Sequence, residues 1–145
     1  MSEPRAIDTL LEQYSASHLN PTNELIHVVC VPVIVFTLLG LVWAIHPLAA
    51  VAVTLISLAY YFKLSPAFAV GMLLMSGAML ALLAALPPPT VLPVSLAVFV
   101  LAWIGQFIGH KIEGKKPSFF DDLRFLLIGP LFVLGFVYRR LKLAY

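Results

Sequence analysis

Two polar clusters stand at the ends of an otherwise apolar chain. The first is His18, Asn20, Pro21, Asn23, Glu24 and His27; the second is Gln106, His110 and Glu113, followed by Asp121 and Asp122. Lys63 is the only charged side chain between Ile26 and Lys111, and three of the four histidines belong to the clusters. Imidazoles grouped with carboxylates at the rim of an apolar bundle are the donor set of a metal site. Asn23 and His27 are four apart and share a helix face. Gln106, His110 and Glu113 follow at steps of four and three and line one stripe. A His and a Glu three apart can reach one ion, and bundle di-metal proteins use that spacing in reverse order. Each cluster also has a plainer reading. The first could cap helices and meet lipid headgroups; the second could be a solvated His–Glu pair at a helix end. Gln106 argues against the latter, because it sits deeper, where a polar group needs a partner. Neither cluster contains cysteine, which disfavours thiolate zinc and iron–sulfur sites. Histidines with one carboxylate and open positions suit ferrous oxygen chemistry or a hydrolytic zinc, and the residues alone leave that choice open.

The elements that must bring these clusters together follow from composition. Of 145 residues, 61% are hydrophobic and 11% charged, with mean hydropathy +1.00. No soluble domain of this size hides so much apolar surface, so the expectation is one membrane-embedded domain over 1–145. The N-terminal stretch is polar and amphipathic and lacks the apolar core of an export signal. Cys30 is the sole cysteine, so no intramolecular disulfide forms. The net charge of +2 is small and gathers near the ends, which suits an anionic leaflet or substrate and not nucleic acid.

Ile7, Leu10, Leu11, Tyr14 and His18 recur at helical spacing, so 4–18 reads as a surface helix lying on the membrane or the bundle. Asn20 and Pro21 then stop it and start another, as cap and first helical residue. Apolar segments near 25–45, 48–62, 66–86 and 91–109 read as four spans. Breaks fall at His46–Pro47, at Lys63 to Pro66, and at Pro87 to Thr90. A fifth segment, 125–138, contains Gly129–Pro130 and is short enough for a re-entrant or interfacial helix, or a fifth span. Lysine and arginine avoid the loops at 46–48 and 87–90 and collect at the N-terminus, Lys63 and the 111–124 loop. The positive-inside rule makes those sites cytoplasmic. His27 begins span one and His110 ends span four, so an even number of spans puts both clusters on one face.

Gly105 and Gly109 form a small-residue step that predicts close helix packing and draws His110 toward a neighbour. Asp121 and Asp122 read first as caps of the last segment, with Asp121 a secondary site candidate. Lys111, Lys115, Lys116 and Arg124 read as the orientation signal, His46 as a turn residue and Pro130 as a kink.

Taken together, Tyr14-x-x-x-His18-x-x-x-x-Asn23-x-x-x-His27 with Val31–Pro32, and Trp103–Ile104–Gly105–Gln106–Phe107–Ile108–Gly109–His110 with Glu113, Pro117, and Asp121 or Asp122, resemble the membrane family of the yeast 2-hydroxy fatty acid dioxygenase, which acts in phytosphingosine breakdown. Gly129–Pro130–Leu131–Phe132 adds a weaker match. The resemblance implies an Fe(II)-dependent enzyme that uses dioxygen to shorten a 2-hydroxy fatty acid by one carbon. Carried onto this chain, it implies His18, His27 and His110 as iron ligands, Glu113 as a carboxylate ligand, and Asn23 and Gln106 as orienting or substrate-contacting groups. Two positions depart from the pattern: Cys30 stands where glycine is expected, and Gly135 where glutamate is expected.

The sequence therefore predicts an all-α polytopic bundle of four spans, an N-terminal surface helix and a C-terminal re-entrant or fifth helix. Its partners are a 2-hydroxy fatty acid, dioxygen and membrane lipid. A bacterial inner membrane suits the chain better than the endoplasmic reticulum. The rivals are a small transporter or proton path, whose polar residues would cross the bilayer rather than gather at one face, and a zinc-dependent lipid hydrolase.

Overall fold

The computed structural model describes residues 3–115 and 125–145, and the described residues are helical apart from short turns. The order is α1 (Ala6–Ser15), α2 (Pro21–Ile45), α3 (Pro47–Leu64), α4 (Pro66–Ala85), α5 (Pro88–Glu113) and α6 (Gly129–Arg140). Each long helix starts on a proline. Proline disfavours helical backbone at the residue before it, which favours ending one helix there, and fits the first turn of the next. His46 and Ser65 accordingly take extended conformations, with φ −164° at both. Side chains complete two of these starts. Asn20 Oδ1 accepts from the amides of Thr22 at 2.9 Å and Asn23 at 3.4 Å. His46 Nδ1 accepts from the Leu48 amide at 3.0 Å, so this turn histidine caps α3. The break expected at Pro87 to Thr90 is shorter than the sequence reading gave it: α5 begins at Pro88, because a proline in the first turn forfeits no helical hydrogen bond.

α2 to α5 are four helices long and apolar enough to cross a membrane. At 1.5 Å per residue they span about 27–39 Å, against roughly 30 Å of hydrocarbon. Only 17–33% of their most apolar windows is buried inside the protein. Leu55, Ile56, Leu74 and Leu101 point outward, as lipid-facing residues do. Buried hydroxyls satisfy themselves on their own helix: Thr37 donates to Ile34 O, Thr54 to Ala50 O and Ser76 to Met72 O.

The main seam of the bundle joins α2 to α5. Small residues let the backbones approach along its whole length. A methyl group at Gly40 would strike Ser95, one at Gly105 would lie 2.7 Å from Cys30 Sγ, and one at Gly109 would strike Asn23 Oδ1. Positions ascend on α2 as they descend on α5, so the helices are antiparallel, and His27 meets His110 at one end. The step at Gly105 and Gly109 packs as its spacing predicts.

The fifth apolar segment forms a helix of 12 residues, about 18 Å, too short to cross. Its partners are α1 and the site-end turns of α2 and α4: Tyr138 Oη donates to Ala67 O at 2.7 Å, and Gly71 abuts Leu134 and Tyr138. α6 therefore lies across the histidine end of the bundle. The N-terminal surface helix is shorter than the stretch 4–18, and it buries Ile7 and Tyr14 against that same end.

Candidate metal centre

Three imidazoles converge where α1, α2 and α5 meet. Ring centroids lie 4.1 Å apart for His18 and His27, 5.1 Å for His27 and His110, and 6.1 Å for His18 and His110. All three side chains are buried, His27 completely. His18 comes from the turn after α1, where Tyr14 stacks on its ring at 4.3 Å and 7°. His27 sits two turns into α2, and His110 in the last turn of α5.

Backbone carbonyls fix two tautomers. His18 Nδ1 is 2.7 Å from Tyr14 O, and His27 Nδ1 is 3.0 Å from Asn23 O. A carbonyl only accepts, so each Nδ1 carries the proton. In the neutral ring the lone pair then lies on the buried Nε2. That is the orientation a metal-binding imidazole adopts when its other nitrogen donates to a carbonyl.

The donor chemistry thus fits a divalent transition ion. Ligand distances near 2.1 Å would place imidazole centroids about 4.5–5.2 Å apart around one ion. One pair falls in that window, one is shorter and one longer. In this arrangement of rings, no group of three His, Cys, Asp or Glu side chains among the described residues is placed to hold a metal ion.

Glu113 lies beside the histidines, but its oxygens are engaged elsewhere. Oε1 accepts from the Leu19 amide at 3.0 Å; Oε2 accepts from the Asn20 amide at 2.9 Å and from Asn23 Nδ2 at 3.0 Å. The carboxylate pins the end of α5 to the loop carrying His18 and to the start of α2. Asn23 is fully buried and also donates to Ser17 O at 3.2 Å. Its Oδ1 faces Gly109, and Gly109 also leaves room for His27. Gln106 is buried one turn below His110, and its Oε1 has no hydrogen-bond partner among the described residues. Asp121 and Asp122 lie outside the described residues.

Two spaces flank the centre. A water-facing hollow of about 490 Å³ reaches His18 between α1 and α6, with Glu24 and Arg139 in its wall. Gly135, where glutamate was expected, also lines it. On the inner side, a small pocket bounded by Tyr14, Val31, Trp103 and Gln106 starts one helical turn below the imidazoles. Phe132 on α6, 5.4 Å from the His18 ring centroid, helps to wall the centre. Phe132 belongs to the weaker Gly129–Pro130–Leu131–Phe132 match, but an apolar side chain gives no chemical sign of its place against His18. The Tyr14 stack did leave one, in the four-residue spacing to His18.

Comparison with known proteins agrees with the resemblance seen in the motifs. No solved structure matches. A Saccharomyces cerevisiae protein, 2-hydroxy-palmitic acid dioxygenase MPO1, is 32% identical over 132 residues, covering 83% of this chain and 73% of the yeast protein. Residues 5–141, which include all three converging histidines, match the family described as 2-hydroxy-palmitic acid dioxygenase Mpo1-like. The chain belongs to that Mpo1-like family.

Proposed function

We propose that this protein is an Fe(II)-dependent dioxygenase that converts a 2-hydroxy fatty acid to the fatty acid one carbon shorter. The observation that carries the reading is the meeting of His18, His27 and His110 at one end of the bundle, in a chain of the Mpo1-like family. The reaction balances without an external reductant: the hydroxy acid and dioxygen yield the shorter acid, carbon dioxide and water. Ferrous iron, when bound, would supply a chelation point for hydroxyl and carboxylate and would activate dioxygen. The protein supplies everything that positions them. His18, His27 and His110 hold the ion, with the first two locked by backbone carbonyls. Glu113, placed among the ligands by the resemblance, serves as the clamp that sets the His18 loop against α2 and α5. Asn23 transmits that clamp to the carbonyl side of His27, and the Gln106 amide faces the substrate head. The buried setting limits water at the reacting carbons, while the hollow beside His18 admits small molecules. The centre lies on the cytoplasmic side of the membrane, as the lysines and arginines near it suggest.

The test is oxygen uptake with 2-hydroxypalmitate by protein purified anaerobically with its metal. Uptake matched by formation of the fifteen-carbon acid supports the reading. Zinc in place of iron, with hydrolysis of an ester lipid and no oxygen uptake, would replace it with the hydrolase reading.

A further inference from the structure

An apolar cavity of about 140 Å³ opens between α2, α3 and α4 and is closed at one end by Leu126, Leu127 and Pro130; no histidine lines it. Val35 and Leu126 line both this cavity and the small pocket below the histidines, so the two spaces adjoin. Four hydroxyls line the cavity: Thr54 and Ser76 donate to their own helices, Tyr61 donates to Leu127 O at 2.8 Å, and Ser57 is the fourth. A cavity near 150 Å³ holds about six carbon atoms of an apolar ligand. Position matters as much as size. Val35 lies eight residues beyond His27 and Val42 fifteen, which is about 12 and 22 Å along α2. An extended chain advances about 1.3 Å per carbon. With C2 at the histidines, a ten-carbon acid ends near Val35, at the mouth. A sixteen-carbon acid ends inside the cavity.

We infer that this cavity is the seat of the distal acyl tail and sets the chain-length preference of the enzyme. The inference rests on the proposed function for the identity of the head group. The cavity excludes nothing shorter; it rewards chains long enough to enter it. A tail that enters from lipid or micelle is already out of water, so the preference comes from packing contacts in the cavity and not from water transfer.

The test uses full-length protein in micelles and three variants. Ser76→Leu fills the cavity, Leu39→Ala enlarges it, and Ser76→Ala removes the hydroxyl without filling. By crowding the distal methylenes, Ser76→Leu should lower kcat/KM for 2-hydroxypalmitate about tenfold and leave 2-hydroxydecanoate within about twofold. Leu39→Ala should shift preference to longer acids, and Ser76→Ala, which fills nothing, should keep the wild-type order of preference across chain lengths. An equal loss at every chain length overturns the inference. A second readout needs no turnover: a 2-hydroxy acid with a terminal diazirine is photo-crosslinked to the wild-type protein and mapped by mass spectrometry. Labelling of α2 and α4 around Leu39 and Ser76, competed by 2-hydroxypalmitate and not by phospholipid, supports the tail seat even if no oxidation occurs. Labelling elsewhere, or equal competition by phospholipid, assigns the cavity to bilayer lipid and overturns it.

Discussion

Replacing Gly109 with alanine tests whether the approach of α5 to α2 builds the centre. A Cβ at this position would overlap Asn23 Oδ1 and lie 3.2 Å from His27 Cε1 and 3.3 Å from His27 Nδ1. The histidine contacts yield to a shift of a few tenths of an ångström; the asparagine contact does not. Asn23 is fully buried and held by Ser17 O and Glu113 Oε2, at 3.2 and 3.0 Å. If it rotates away, it gives up a neutral hydrogen bond and one to a carboxylate, about 0.5–1.5 and 1.5–3 kcal/mol respectively. If α5 moves instead, overpacking costs about 1–3 kcal/mol. Alanine recovers close to 1 kcal/mol of helix propensity. The net loss is about 1–3.5 kcal/mol if Asn23 rotates and about 0–2 kcal/mol if α5 moves, read as a fall in the melting temperature in micelles, together with reduced metal retention. Gly77→Ala is the control, because a Cβ there meets nothing within 4 Å. It should be neutral or slightly stabilising. A Gly109→Ala protein as stable and metal-replete as Gly77→Ala would refute the seam as the device that positions His27 against His110.

Three further perturbations separate the roles assigned to individual side chains. His110→Ala should stay folded, since the ring is a donor and not a core anchor, yet lose iron and activity; circular dichroism and metal analysis read the two effects separately. Glu113→Gln keeps the shape but presents an amide N–H₂ to donors, so it should lower the melting temperature while iron stoichiometry holds at saturating metal; stoichiometric loss of iron at full folding would instead make Glu113 a ligand. Arg5 hydrogen-bonds Asp8 at 2.8 Å and holds its carboxyl below the ordinary range. Stability from a depressed carboxylate is present above its unfolded pKa, about 3.9, and is lost as pH falls through the lower folded value. Asp8→Asn should therefore leave melting at pH 7 almost unchanged, because the pair is exposed, and should lessen the decline only below about pH 4, seen by comparing melts at pH 7 and pH 3.

Much of this arrangement is legible in the sequence because the membrane leaves few alternatives. Uninterrupted apolar runs must be helices, and prolines at 21, 47, 66 and 88 divide them. Parity then forces the start of the first long helix and the end of the fourth to one side, which is why His27 and His110 could be paired before any coordinates. Gly105 and Gly109 marked the contact face. What the sequence hid is what depends on side-chain direction. Glu113 three residues after His110 reads alike as a ligand or as a hydrogen-bond acceptor, and only the positions of the Leu19, Asn20 and Asn23 donors separate the two. The last apolar segment had the length of several element types; its contacts with Ala67 and Gly71 place it across the bundle end. The cavity at Val35 and Ser76 left no signal, because an apolar residue facing a void looks the same as one facing lipid.

The central claim is that His18, His27 and His110 together bind ferrous iron. It is met most directly by metal analysis of anaerobically purified wild-type protein beside the three single alanine variants, each checked for folding. Stoichiometric iron is expected in the wild type, and its loss in every folded variant. Zinc or no metal in the wild type, or iron retained when His27 or His110 is removed, would contradict it.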